Sequence, residues 1–266
     1  MPKSVWGHPS AWLDVRYFFF HKLIGHFVLF GVFAGVMAWV FNAITGAHLT
    51  QLEATVGGGL GLGVVVFYMF AMVLVSDFIG FAVHYLQHKV PVLWEFHKVH
   101  HSAEVMHPLS NYREHPVDNL FYLVAIGGGY GVVSGVAYNA LGVLPEVPVI
   151  VGVPVLLFLF NIFAYNLRHS HIWLRWPGIW LKILPSPAHH HVHHSCRPDH
   201  CDKNFAFMFP MWDVVFGTYV MPEDNRDVRF GVAGMRSMEM DSVWKLYGMP
   251  FAKAWRGVRR RSGHDR

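Results

Sequence analysis

Cysteine is almost missing from this chain. Only Cys196 and Cys201 occur in 266 residues, too few for a disulfide framework, which points to a reducing compartment or to indifference to redox state. Charge is scarce as well: Asp, Glu, Lys and Arg supply 14% of residues, against about 25% in an ordinary soluble domain. Hydrophobic residues reach 53% and aromatics 16%, a balance that argues against a soluble globule and for embedding in a membrane. The opening "MPKSVWGHPSAWLDVRYFFFHK" has tryptophans and charges where a cleaved leader carries an uninterrupted apolar core, so no leader is expected. There is no HExxH motif, no glycine fingerprint opening a helix after a strand, and no internal repeat or low-complexity linker. One domain, residues 1–266, is expected, with no fused redox module.

What is present is a set of long apolar runs. Four candidate spans fall at residues 23–41, 57–83, 120–141 and 147–167, each close to or above the roughly 20 residues that cross about 30 Å of hydrocarbon. Ser76 and Asp77 interrupt the second near its end, Pro154 is a candidate kink in the fourth, and the glycine-rich "GGGYGVVSG" of the third favours close helix contact. The linkers "NAITGAHLTQLEATVG" and "YNALGVLPEVP" contain no Lys or Arg. The basic residues thus fall on the other side, and both termini are expected in the cytoplasm. The expected fold is all-α: about four transmembrane helices under a cytosolic, histidine-rich helical cap. Net charge is +4, concentrated in the tail "WRGVRRRSGHDR"; beside apolar spans this suits an anionic leaflet better than nucleic acid. "SMEMDSVWKLYGMPFAKAWRG" reads as an amphipathic helix lying on the membrane or on the cap.

Histidine is abundant, with 20 copies, and it is clustered. "HYLQH" places His84 and His88 one helical turn apart, where two imidazoles share a face. "HKVHH" supplies His97, His100 and His101, the last two diverging by about 100° so that they address different ions. "HHVHH" repeats the pattern with His190, His193 and His194. His169, in "NLRHSH", stands at the exit of the fourth span. Neutral imidazole suits iron, zinc, copper or nickel. One structural zinc takes four ligands, so eight or nine histidines imply more than one ion, and the count alone does not choose the metal.

Taken in order, these boxes resemble the HxxxH, HxxHH and HxxHH boxes of the fatty acid hydroxylase superfamily, which includes sterol desaturases. The flanking "SDFIGFAVHYLQH", "NYREHPVDN", "SPAHHHVHH" and "DKNFAFMFPMWDVVFGTYVMP" are similar to that family's surrounding segments, so the resemblance covers roughly residues 76–222. It implies an integral membrane oxygenase with two iron ions held by histidine, His169 included. Such an enzyme takes a lipid from the bilayer, O2, and two electrons from a separate ferredoxin or cytochrome with its reductase, and attacks an unactivated C–H bond. Hydroxylation and desaturation both remain open, as do sterol, fatty acyl, sphingolipid, ether lipid and carotenoid substrates.

Other polar residues are candidates for supporting the ligands. Asp77 lies on the face of His84, where its carboxylate would accept a ring N–H or simply be solvated. Asp202 and Asp213 are placed for similar parts. Asn111 and Arg113 follow the second box, there to orient ligands or to face the electron donor. His115, before Pro116, is read as a supporting residue rather than a tenth ligand. His189 is read as supporting or at the surface, as is His191. His21, His26, His48, His171 and His264 are read as ordinary side chains, and Cys196, His200 and Cys201 as incidental rather than a separate zinc site. A membrane zinc hydrolase is the alternative reading, although the boxes contain no carboxylate to serve as general base. A metal transporter or storage protein would carry its ligands along the spans.

Overall fold

The computed structural model describes residues 2–46, 56–57, 59–151, 153–184, 186–224, 228–235 and 237–262. His48 and His264 lie outside the described residues, as does the side chain of His26. The chain is mostly helical, but the all-α expectation needs one correction: two short strand pairs are present, Val56–Gly57 with Leu144–Pro145 in parallel and Val149–Ile150 with Val153–Pro154 antiparallel.

Helix α1 (Pro9–Thr45) starts well before the predicted first span. Pro9 sits in the first turn, where its missing N–H costs nothing, and the His8 ring accepts from the Ser10 amide at 3.2 Å. One side of the added N-terminal turns is buried within the protein. Leu13 and Tyr17 are buried with Val99, Met240 and Leu246 in one core cluster. Helix α2 (Leu62–Lys89) carries the second predicted span and runs on through the first histidine box. After a break at Val90, helix α3 (Pro91–His101) carries the second box, and helix α4 (Pro116–Leu141) carries the third span.

The glycines of α4 do what their spacing predicts. A Cβ at Gly127 would stand 2.9 Å from the Phe33 carbonyl oxygen, and one at Gly131 2.6 Å from that of Met37. Four-residue spacing keeps both on one face, so α1 and α4 meet backbone to backbone.

The predicted fourth span is shorter than expected. Val149–Ile150 pairs antiparallel with Val153–Pro154, with Val151 at φ 51°, and helix α5 begins only at Val155 (Val155–Phe160). Pro154 starts this helix instead of kinking it, since it has no N–H to donate to a preceding turn. The helix continues through a π turn at Asn161–Tyr165 to Asn166–Arg168, which delivers His169 at its end. Two helices, α2 and α4, are long and apolar enough to cross a membrane, while Leu29–Thr45 and Val155–Arg168 are shorter apolar stretches.

The remaining elements close over the histidines. Short helix α6 (Pro187–His193) is capped by Ser186, whose Oγ accepts from the His189 amide at 3.1 Å. Helix α7 (Met211–Phe216) packs Trp212 against a cluster of Phe81, Phe205 and Ala206. The amphipathic C-terminal helix α8 (Val243–Ser262) lies against α3, with Leu246 buried in the α1 and α3 cluster.

Candidate metal centre

The nine histidines singled out in the sequence come together in two adjoining groups. His84, His88, His97, His101 and His193 form one; His100, His169, His190 and His194 form the other. In each, the nearest ring nitrogens or other ligand atoms lie within 4.8 Å of one another. The adjacent pair His100 and His101 divides between the groups as their angular separation requires. His101 and His194 stack across the boundary, ring centroids 4.4 Å apart.

The donor atoms fit metal ions. Nitrogens about 2.0–2.1 Å from one ion stand about 3.0 Å apart at right angles and about 3.4 Å at the tetrahedral angle. His101 Nε2 is 3.1 Å from Nε2 of both His88 and His193. His190 Nε2 is 2.7 Å from His169 Nε2 and 3.0 Å from His194 Nε2. Hydrogen bonds on the outer nitrogens fix which atom points inward. Nδ1–H of His84 donates to the Phe205 carbonyl at 2.7 Å and that of His193 to the Lys203 carbonyl at 2.8 Å. A carbonyl only accepts, so Nε2 of each neutral ring bears a lone pair. His97 Nδ1–H donates to Asp118 at 2.9 Å. Nε2 of His84 and of His97 are buried without a hydrogen-bond partner, a costly arrangement that a cation would relieve.

Electrostatics keep six of the nine rings neutral. Burial first, and then repulsion from neighbouring rings or from Arg168, holds His100, His101, His169, His190 and His194 well below the ordinary imidazole range. Burial likewise takes His193 down to about 3. At neutral pH these six rings are therefore neutral lone-pair donors, the form a metal requires.

Among the residues expected to support the ligands, several do so at one remove. Asp77 does not accept from a ligand ring. Its oxygens take the amides of Met208 (2.8 Å) and Phe209 (3.0 Å) and the Trp212 indole N–H (2.9 Å), so it ties α2 to the loop before α7. Asp213 accepts from the Phe205 and Ala206 amides and from Thr218 Oγ1, fixing the loop whose Phe205 carbonyl orients His84. Burial works against the Asp213 carboxylate, but its contacts to His189 and Thr218 outweigh this and hold it below the ordinary range. His189 is buried, 3.4 Å from Asp213. Asp202 lies 3.3 Å from His88 Nδ1 and binds Lys89 at 2.6 Å. Asn111 accepts from Arg168 at 3.3 Å. Arg113 is buried on Asp14, Ser10 and Ser102, joining α1 to the end of α3. His115 has both nitrogens engaged away from the nine rings: Nδ1 accepts from the Val117 amide, capping α4, and Nε2 donates to the Tyr247 carbonyl. His191 is buried too, Nε2 donating to the Ser170 carbonyl.

Three supporting residues escaped the sequence. Asp118 carries His97 and is itself held by Gln87 Nε2 at 2.6 Å; a buried acid in the first turn of α4, three residues after His115, was the available signal. Ser110 donates to the His107 carbonyl at 2.8 Å and so accepts from His169 Nδ1–H at 3.0 Å. Nothing local marks it.

A cavity of about 460 Å³ lies between α1, α2, α4 and α5. Its wall includes Phe207, which stacks on His84 with centroids 5.3 Å apart and planes at 3°.

Comparison with known proteins agrees with this geometry. A family model described as fatty acid hydroxylase matches residues 69–218. Alkylglycerol monooxygenase of Danio rerio is 30% identical over 169 residues, covering 62% of this chain and 33% of that protein. Ornithine lipid hydroxylase OlsE of Rhizobium tropici is 26% identical over 163 residues, 60% of this chain and 44% of that protein. Alkylglycerol monooxygenase of Homo sapiens is 27% identical over 166 residues, 59% and 31% respectively. The chain thus spans less than half the length of these relatives. No solved structure matches.

Proposed function

This chain belongs to the fatty acid hydroxylase family, and on that premise we propose that it is a membrane-embedded non-haem di-iron oxygenase that hydroxylates or desaturates an unactivated C–H bond of a lipid. One observation carries the reading: nine buried or half-buried imidazoles from four segments converge in two adjoining groups. The chemistry that a bound iron pair supplies is activation of O2 with two external electrons, delivered by a separate ferredoxin or cytochrome with its reductase. The protein's own part is positional. His84, His88, His97, His101 and His193 would hold one ion, and His100, His169, His190 and His194 the other. Carbonyls, Asp118 and Ser110 turn the rings inward, and burial keeps water from the site. The relatives named for alkylglycerol and ornithine lipid support a lipid substrate, and the cavity beside His84 offers its chain an apolar path.

In this reading four helical stretches sit in the bilayer, both termini face the cytoplasm, and the histidine end lies at the inner boundary. Exposed apolar side chains on α2 and α4, such as Phe67, Phe70, Val132 and Val136, suit lipid better than water. The purified protein is expected to hold about two irons per chain, one per group, and to lose lipid oxidation in His100→Ala and in His193→Ala. Zinc in place of iron, with turnover that persists without O2 or reductant, would replace this reading with a hydrolase. Full turnover by both variants would remove metal chemistry from it.

A further inference from the structure

The two ends of the cavity differ in chemistry. Leu29, Phe33, Val73 and Leu157 line one end, and Val73 lies eleven residues before His84 on α2, about 16 Å along the axis. At the other end stands Arg168, 3% exposed. Its Nη2 donates to Asn111, but its Nε and Nη1 have no hydrogen-bond partner among the described residues. The Tyr122 hydroxyl, on the same wall, is also buried and unpaired. The rings of Tyr165 and Phe207, 4.4 and 4.7 Å from the guanidinium carbon, offset only part of the cost of burying that charge. The Asp77 oxygens are taken by the loop before α7. Three buried donors without partners therefore belong to two residues of the cavity wall, next to the ring of Phe207 that stacks on His84.

We propose that the cavity takes a single-chain amphiphile head first: oxygen acceptors of its head group bind Arg168 and Tyr122, and its chain runs back toward Leu29, Phe33 and Leu157. The orientation rests on the oxygenase reading for its consequence, which is that the oxidised carbon lies near the head and not at the far end of the chain. Glu114 shares the polar wall, so the head need not be an anion; what it must supply is acceptor oxygen.

Binding tests this without turnover. Palmitate, hexadecan-1-ol and hexadecane present one chain length with a charged acceptor, a neutral acceptor and none. Measured by displacement of a fluorescent polyene fatty acid from the purified full chain, both oxygenated probes are expected to bind about tenfold or more tighter than hexadecane. Tyr122→Phe and Arg168→Met are expected to shrink that preference several-fold while hexadecane binding stays unchanged. Arg168 also braces Asn111, so Tyr122→Phe decides the matter should Arg168→Met fail to fold. Equal binding of the three probes, or a preference undiminished in the variants, overturns the proposal whatever metal the protein holds. In the iron-loaded protein, oxidation in the half of palmitate remote from its head overturns the head-first orientation. Head-selective binding in a protein that never oxidises lipid would instead overturn the oxygenase reading and leave this site standing.

Discussion

The two histidine groups are built from the same side chain but are anchored differently. In the group of five, outer nitrogens rest on two backbone carbonyls, on the buried carboxylate of Asp118 and on the half-exposed one of Asp202. In the group of four, His169 leans on a serine hydroxyl and His100 on the Arg113 backbone, while Nδ1 of His194 has no hydrogen-bond partner among the described residues. Arg168 adds positive potential to that second group. A carboxylate behind an imidazole raises its basicity and fixes its orientation; a hydroxyl fixes orientation and adds little charge. In the proposed di-iron reading, equal ligand chemistry would thus yield one site that grips its cation electrostatically and another that is neutral and easier to empty.

Removing a ligand from either group is the most severe test of this difference. His101→Ala and His194→Ala are each expected to abolish turnover, but the iron that remains should differ. His194→Ala should retain the ion of the five-histidine group, and His101→Ala should disturb both, because His101 also stacks on His194. Metal analysis of each variant reads this directly, and full activity in either would mean the groups do not work together. Next in size is Asp118→Asn. It keeps the shape of the side chain, removes the charge behind His97, and is expected to cost about 10- to 100-fold in metal affinity or activity. Ser110→Ala, its counterpart in the other group, removes one neutral hydrogen bond and is expected to cost about three- to tenfold. Equal losses from the two would erase the proposed contrast. Under a chelator, metal should leave in two phases, and only the faster phase should respond to Ser110→Ala.

Legibility in the sequence followed the range of the interaction. The boxes could be read because helical spacing is local: His84 with His88, and His97 with His101, share a face by geometry alone. His169 was marked by its place at the exit of an apolar run and more firmly by the family resemblance, since one histidine alone carries no spacing pattern. Asp118 was hidden because its partner His97 lies on another helix, 21 residues away, and only the packing of α3 on α4 joins them. Asp77 was marked by its depth in an apolar run, yet its partners are backbone amides of 208 and 209, which no residue type announces. The fourth span was misjudged at its start for a different reason. Residues 147–154 are as apolar as a span, but Pro148 and Pro154 withhold the amides a helix needs, and the segment turns back on itself as a hairpin.

The smallest effect is expected within the better-anchored group, where Asp202 resembles Asp118 chemically and differs in burial. Its side chain is 41% exposed, sits 3.3 Å from His88 Nδ1 and shares its charge with Lys89 at 2.6 Å. Water and the lysine together screen whatever field it imposes on the ring, and an exposed ion pair contributes little. Asp202→Asn leaves an amide oxygen able to accept from His88, and asparagine tolerates the left-handed backbone at this position, φ 57°. The substitution should therefore cost about threefold or less in metal retention, and that cost should shrink further as salt rises. A loss as large as that of Asp118→Asn, insensitive to ionic strength, would mean that the carboxylate acts on the metal through His88 despite its exposure, and that burial is not what separates the two acids.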